Sequence, residues 1–193
     1  MRKIVVDTFV SLDGVMESPG GENNFEHGAW QMGYMDEAAG KIMTESFAKT
    51  YGLLLGRVTY ELFAEYWPNA PADDPIAKHL NSVPKYVVSQ TRSESDLTWN
   101  NSHLIKDNLP AEIARLKELP GPSGNLVVIG SGKLVQSLRQ YNLVDEYNIW
   151  VHPIVLGTGE RLFREGGLTK MKLCDTKTTP SGIVMLTYQP EDR

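Results

Sequence analysis

The chain has 193 residues, of which 41% are hydrophobic and 22% charged, a balance that suits one globular domain able to bury a substantial core without staples. Its net charge of −5 argues against a general nucleic-acid binder, and a lone cysteine, Cys174, excludes an internal disulfide and a cysteine-based zinc cluster. No apolar run approaches the roughly 18–20 residues that cross a bilayer, and Met1-Arg2-Lys3 leads straight into a strand without a signal peptide, so a cytoplasmic protein with no membrane partner is expected.

Residues Lys3–Leu12 are rich in Val, Ile, Phe and Thr and close on the turn pair Asp13-Gly14, which predicts a first strand. Ile4, Val6, Val10 and Leu12 fall on one face and Val5 and Phe9 on the other, so the strand is expected to be central and covered on both sides. Met16–Gly28 has no periodicity and reads as a loop long enough to be functional or mobile. A helix is predicted over about Met35–Lys49, with Met35, Ala39, Ile42, Met43 and Phe47 on one stripe and Asp36 and Glu37 in its first turn. Tyr51–Gly56 reads as a short buried strand ended by glycine, and Arg57-Val58-Thr59-Tyr60-Glu61 opens a helix running to about Tyr66. Trp67–Pro71 is a rigid loop. Asp74-Pro75 predicts an N-cap followed by proline at the first helical position, with Ile76, Leu80 and Val83 as the buried stripe and Pro84 as the stop.

Lys85–Ser89 is a third short strand that runs into the polar turn Gln90-Thr91-Arg92-Ser93. Leu104-Ile105 is a candidate strand, and Pro110–Leu119 a helix with Ile113 and Leu116 inward. Leu126–Ile129, apolar and mostly β-branched, reads as a buried strand ended by Gly130-Ser131-Gly132-Lys133. Leu134, Val135, Leu138 and Tyr141 then recur at helical spacing. Glu146–His152 alternates, with Tyr147, Ile149 and Val151 facing one way. A loop from Pro153 to Gly166-Gly167 precedes two strands, about Lys170–Thr178 and Gly182–Gln189, which Pro180-Ser181-Gly182 joins as an antiparallel hairpin. This order predicts one α/β domain over residues 1–193, with a mostly parallel sheet, helices on both faces and an antiparallel edge.

Three strand ends offer phosphate-binding material: Gly56-Arg57, Ser89-Gln90-Thr91-Arg92 and Gly130-Ser131-Gly132-Lys133. In an open parallel sheet the carboxyl ends of the strands share an edge, and ligands bind in the crevice there. A strand that turns on glycine into a helix presents unpaired N–H groups and the positive end of the helix dipole, which suits a pyrophosphate. An arginine fork suits a terminal phosphate monoester. NADP combines both groups. Each basic residue alone has a solvated surface role as its alternative, and the glycine turn alone is equally a tight connection; the coincidence at several strand ends favours the dinucleotide.

Other motifs fail. Val127 stands where a P-loop needs glycine, and Leu134 follows Gly132-Lys133 where it needs Ser or Thr. Val135 replaces the third glycine of the usual dinucleotide fingerprint. His27, His79, His103 and His152 stand far apart without ligand-like spacing, so no metal site is expected.

Together these segments resemble a known family. Leu55-Gly56-Arg57-Val58-Thr59-Tyr60-Glu61 and Val128-Ile129-Gly130-Ser131-Gly132 resemble two signatures of the dihydrofolate reductase-like fold. Ser11-Leu12-Asp13-Gly14 and the late His152-Pro153, Gly157, Gly159 and Leu162-Phe163 pattern are similar to the reductase domain of the bifunctional riboflavin-biosynthesis deaminase–reductase and its stand-alone relatives. The resemblance spans Lys3 to Tyr188. It implies a three-layer α/β fold, a homodimer, and an NADPH-dependent reductase resembling 5-amino-6-(5-phosphoribosylamino)uracil reductase. It also implies cofactor contacts at Gly56, Arg57, Thr59, Ser89, Gln90, Gly130, Ser131 and Gly132. Arg57 and Arg92 are then the candidates for the 2′-phosphate, and Lys133 adds charge near the pyrophosphate. A true dihydrofolate reductase and a non-catalytic NADP-binding protein of the same fold are the alternatives.

Two departures stand beside the resemblance. The chain has neither room nor ligands for a zinc deaminase domain, and no acid of the first long helix sits where a dihydrofolate reductase needs its carboxylate. Asp36 reads as a helix-start residue, and Glu45, four residues from Lys41 and Lys49, as part of an ion-paired helix face. Asp13 is the acidic candidate for proton transfer, although Asp-Gly is also simply a good turn. Trp30, Trp67 and Phe163 fall in loops where they wall a flat substrate ring or pack the core, and Gly159 joins Trp67 and Phe163 as a substrate-side candidate.

Overall fold

Strand β1 (Ile4–Ser11) runs through the middle of an eight-stranded sheet in the computed structural model, which describes residues 1–22, 24–164 and 167–191. Gly166, in the glycine pair predicted to end the late loop, lies outside the described residues. After β1 come α1 (Glu37–Phe47), β2 (Thr50–Gly56), α2 (Arg57–Tyr66), α3 (Pro75–Ser82) and β3 (Lys85–Val88). These are followed by β4 (Ser102–Ile105), α4 (Leu109–Glu118), β5 (Asn125–Ile129), α5 (Gly132–Gln140) and β6 (Glu146–His152). The hairpin β7 (Met171–Thr178) and β8 (Val184–Pro190) ends the order.

The strands lie in the order β4-β3-β2-β5-β1-β6-β8-β7, parallel from β4 to β6 and antiparallel from β6 through β8 to β7. Parallel strands joined by helices put apolar layers on both faces. On one face Ile4, Val6, Leu54, Leu126 and Val128 pack with Ile113 and Leu116 of α4 and Leu134, Val135 and Leu138 of α5. On the other, Val5, Leu53, Leu55, Val87 and Val127 pack with Tyr60 of α2 and Leu80 of α3. Beside them α1 covers Trp150 and Met185 with Ala39, Ile42 and Met43. Each such fully buried aliphatic side chain contributes about 1.5–3 kcal/mol relative to an exposed one.

The expected elements appear with ends shifted by a residue or two, and three side-chain placements differ from the pattern. The alternation puts Leu12 on a covered face, but it is 62% exposed, because β1 stops at Ser11 and Leu12 enters the turn. Tyr141 is exposed because α5 ends at Gln140 and the helical phase ends with it. Within the rigid loop after α2, Trp67–Asn69 forms a 3-10 turn. In α3, Ala77 is buried with Leu80 while Ile76 is only partly covered. β6 lies between β1 and β8, so Asn148, Trp150 and His152 are buried along with Tyr147 and Ile149.

Candidate functional site

The parallel register brings the three glycine-rich or polar strand ends together. Gly56 of β2 pairs with Val88 of β3, Leu53 with Val127 of β5, and Asp7 of β1 with Ile129. Gly56, Ser89 and Gly130 therefore emerge along one edge. They open onto a cleft of about 1940 Å³ that is lined by Gly56, Arg57, Thr59, Trp67, Ser89, Gln90, Gly130, Ser131, Gly132 and Lys133.

The turn after β5 is built for a close approach. Gly130 and Ser131 are both left-handed, at φ +57 and +51, and a Cβ on Gly130 would meet nothing nearer than Thr59 at 3.9 Å. The glycine therefore serves the backbone conformation and leaves open space on the cleft side. The Ser131 hydroxyl does not cap α5; it accepts the backbone N–H of Gly56 at 3.1 Å and ties the ends of β2 and β5 together.

Helix starts elsewhere are treated differently. Asp36 caps α1 by accepting the Ala39 N–H at 2.8 Å, Asp74 caps α3 from Ile76 and Ala77, and Asn108 caps α4 from Ala111. α2 and α5 have no side-chain cap, and both begin at the cleft. Their first-turn N–H groups are the donors that an α-helix leaves unpaired, so the two starts form an anion-friendly corner.

Arginine charge stands beside that corner. Arg57 donates to Glu61 at 3.0 Å, and Arg92 reaches the same carboxylate through Nε at 2.8 Å. Arg92 is placed by the turn in which Ser89 Oγ accepts its backbone N–H at 3.2 Å; it adjoins the cleft beside Thr91 rather than lining it. Partial burial opposes ionisation of Glu61, but the hydrogen bonds from Arg92 and Arg57 prevail and hold its carboxyl below the ordinary value. Glu61 was not singled out in the sequence as a site residue. Its signal was the helical i, i+4 spacing from Arg57.

The α1 end of the cleft holds a second unanticipated group. Asp7 lines the wall with only 5% of its surface exposed. It accepts from Trp150 Nε1 at 2.9 Å, Ser46 Oγ at 3.1 Å and Asn148 Nδ2 at 3.5 Å. Burial dominates over these neutral donors and pushes its pKa up to about 6. The available signal was an acid at the centre of an otherwise apolar strand face shared with Val5 and Phe9.

The remaining candidates are not brought to the cleft wall. Asp13 accepts from the Ser11 hydroxyl at 2.6 Å, from the Leu156 N–H at 3.1 Å and from the Gly157 N–H at 2.9 Å. Led by the Ser11 bond, these contacts pull its pKa down to about 2, which does not suit a proton donor. Gly159, at φ +110, lets its loop pass under the segment after β1, since a Cβ there would lie 2.7 Å from Val15 and 3.0 Å from Phe25. Phe163 packs near Tyr147, with the Arg139 guanidinium 5.3 Å from its ring. Trp30 is buried against His152 and donates to the Glu17 carbonyl, so it belongs to the core. Asp36 is a helix-start residue that also accepts the Ser181 N–H. Glu45 is exposed, and among the described residues it has no ion pair with Lys41 or Lys49.

Known proteins match the chain over nearly its whole length. The chain is 32% identical over 191 residues to the uncharacterized protein YyaP of Bacillus subtilis, covering 97% of this chain and 94% of that one. It is 30% identical over 184 residues to the uncharacterized protein YwjB of the same organism, covering 91% of each. Among solved structures, a protein of Shewanella sp. PV-4, described provisionally as a riboflavin biosynthesis protein, shares the fold with a TM-score of 0.73 at 23% identity over 99% of both chains. RibD of Acinetobacter baumannii matches with a TM-score of 0.64 at 17% identity, and this chain spans 59% of its length. The RibD C-terminal domain family matches residues 2–185, and with its eight-stranded dihydrofolate reductase-like sheet the chain belongs to that family.

Proposed function

We propose that the protein is an NADPH-dependent reductase of a small heterocyclic compound. The observation that carries this reading is the pair of uncapped helix starts, α2 and α5, tied by the Ser131–Gly56 bond at the edge of one cleft while the other three helices carry side-chain caps. A dinucleotide has two separated phosphate groups to place, and the donor chemistry fits both. The N–H groups of the Gly130-Ser131-Gly132-Lys133 turn would hold the pyrophosphate, with Lys133 adding charge. Arg57 and Arg92, steadied by Glu61, would hold the ribose 2′-phosphate in a bidentate manner. Thr59, Ser89 and Gln90 would supply neutral hydrogen bonds between them. When bound, the nicotinamide supplies a hydride; the protein orients it and excludes water. The same reading takes the protein to be a cytoplasmic homodimer and makes 5-amino-6-(5-phosphoribosylamino)uracil the first compound to assay.

Titration with NADPH and NADH tests the reading. NADPH is expected to quench tryptophan fluorescence and raise the melting temperature at concentrations about tenfold or more below those NADH requires, since a charge-assisted phosphate contact contributes roughly 1.5–3 kcal/mol. Absence of both responses would sink the proposal. Gel filtration checks the dimer.

A further inference from the structure

The two ends of the cleft have opposite chemistry. Arg57, Lys106 and Lys133 stand at the end assigned above to the cofactor, and Arg164, paired with Glu160, lines the cleft beside Gly132 and Met16. Between positions 7 and 47 the described lining residues include no lysine or arginine. They form a wall of Phe9, Met32, Met35, Met43 and Phe47, and its ionisable side chains are Asp7, Glu17 and Glu22. Glu17 and Glu22 are half-buried at the rim, where they accept the N–H groups of Glu160 and Gly20. Asp7 alone is buried in the wall. An apolar wall with an acidic group favours a flat ring bearing a basic nitrogen and repels a phosphate.

The partners of Asp7 leave its proton free to move. Trp150 Nε1 and Asn148 Nδ2 donate and cannot accept, so a protonated Asp7 can donate only to Ser46 Oγ or to a group in the cleft. Among the described residues no charged side chain pairs with it. On α1, Glu37, Lys41 and Glu45 are exposed; on β6, Glu146 is paired with Lys3 and burial pushes His152 toward its neutral form; and β5 carries no titratable side chain. The register places Asp7 opposite Ile129, one residue before Gly130, so the acid and the phosphate turn stand on adjacent strands.

We propose that Asp7 protonates the imine nitrogen of a flat, unphosphorylated heterocycle held against the methionine and phenylalanine wall. This rests on the reductase reading above. The O–H bond of Asp7 breaks and an N–H bond forms, converting the C=N group into an iminium whose carbon is electrophilic. NADPH is the reductant: hydride addition to that carbon forms a C–H bond and returns the π-electron pair to nitrogen, giving an amine and NADP⁺. Solvent then reprotonates the Asp7 carboxylate. Burial raises the pKa of this acid to about 6, so it keeps a protonated fraction that an ordinary aspartate has lost, as suits a general acid.

3,4-Dihydroisoquinoline, a flat cyclic imine, is the probe. In protein labelled with ¹³C-aspartate, the resonance missing from Asp7→Asn is expected to titrate near pH 6 and to shift when the imine is added without NADPH. With NADPH present, Asp7→Asn should consume the imine at least 100-fold more slowly while binding NADPH as the wild type does in a thermal-shift assay. An Asp7 resonance that ignores the imine overturns the proposal. So does wild-type turnover in Asp7→Asn, or tighter binding of 5-amino-6-(5-phosphoribosylamino)uracil than of the imine. Failure of the wild type to bind NADPH overturns the cofactor reading instead, and the titration without NADPH still decides the role of Asp7.

Discussion

Asp7 and Asp13 stand on one strand and the turn that follows it, in environments that push the same carboxyl group in opposite directions. Asp7 is shielded from water, and its three neutral donors do not repay the lost hydration, so its pKa is pushed up to about 6. Asp13 lies at the protein edge, where the Ser11 hydroxyl and the N–H groups of Leu156 and Gly157 converge on it and Arg161 stands 3.6 Å away. Its pKa is drawn down to about 2. Near neutrality the first carboxyl can deliver a proton and the second cannot. The first faces a cleft, while the second clamps a loop against the end of β1. Water access and the number of donors, rather than the residue type, decide which acid has chemistry available to it.

The sharpest way to break this comparison is to neutralise each acid in turn. Asp7→Asn is expected to lower steady-state reduction of the imine by about 10²–10⁴-fold, the usual range for a general acid, while Asp13→Asn changes it less than about tenfold. The pH profile separates them further. A rate that needs protonated Asp7 should decline as pH rises through about 6, and this decline should persist in Asp13→Asn. Equal losses in the two variants would dissolve the distinction.

Stability gives the next largest effect. The pKa of Asp7 is raised from 3.8 to about 6 on folding, so between these values the native state binds a proton that the unfolded state has released, and stability falls as pH rises. Above pH 6 the full cost is present, up to roughly 3 kcal/mol for a shift of about two units. Asp7→Asn should therefore melt at a higher temperature than the wild type at pH 8, with the difference shrinking toward pH 4. A variant that is more stable yet inactive marks a group retained for function. If Asp7→Asn is less stable at pH 8, the hydrogen bonds of the carboxylate outweigh its burial.

Arg57 provides a control at the opposite end of the cleft. Arg57→Ala should weaken NADPH binding by about 10–100-fold, the worth of a charge-assisted contact, with little effect on NADH. Fluorescence titration with both cofactors reads the difference. Neither Asp7→Asn nor Asp13→Asn should reproduce it, since neither acid contacts the arginine corner. An equal loss for both cofactors would place Arg57 elsewhere than at the 2′-phosphate.

How much of this was legible in the sequence follows from how local each signal is. The strands ended by Gly56 and Gly130 and the Asp74-Pro75 cap are written in adjacent residues, and they stand where the pattern places them. The Ser131–Gly56 and Arg92–Glu61 bonds join residues 75 and 31 positions apart, so only the assembled sheet shows them. Gly159 and Phe163 were located by motif, but a motif in a loop does not say which way the loop faces; Gly159 turns under Val15 and Phe25. Asp7 was missed for a different reason. The alternation of β1 identifies a buried strand through its apolar residues, and the acid at its centre, which interrupts that face, was the signal that pointed to chemistry.

The smallest expected effect concerns the clamp at Asp13. Because its folded pKa lies below the ordinary 3.8, its contribution is present above pH 4 and is lost as pH falls through about 2, so at neutral pH the clamp is fully formed. Asp13→Asn keeps one oxygen for Ser11 but gives the Leu156 and Gly157 N–H groups a poorer, uncharged acceptor. Hydrogen exchange at these two amides should accelerate by a few-fold to about tenfold, reflecting local opening of the loop rather than global unfolding. Exchange in the core strands β1 and β5 should be unchanged. A variant that lost reduction while Leu156 and Gly157 kept their protection would make Asp13 the reacting acid and Asp7 the structural one, reversing the comparison. Accelerated exchange with near-normal turnover would confirm that one strand ends in two acids of which only the buried one faces the reaction.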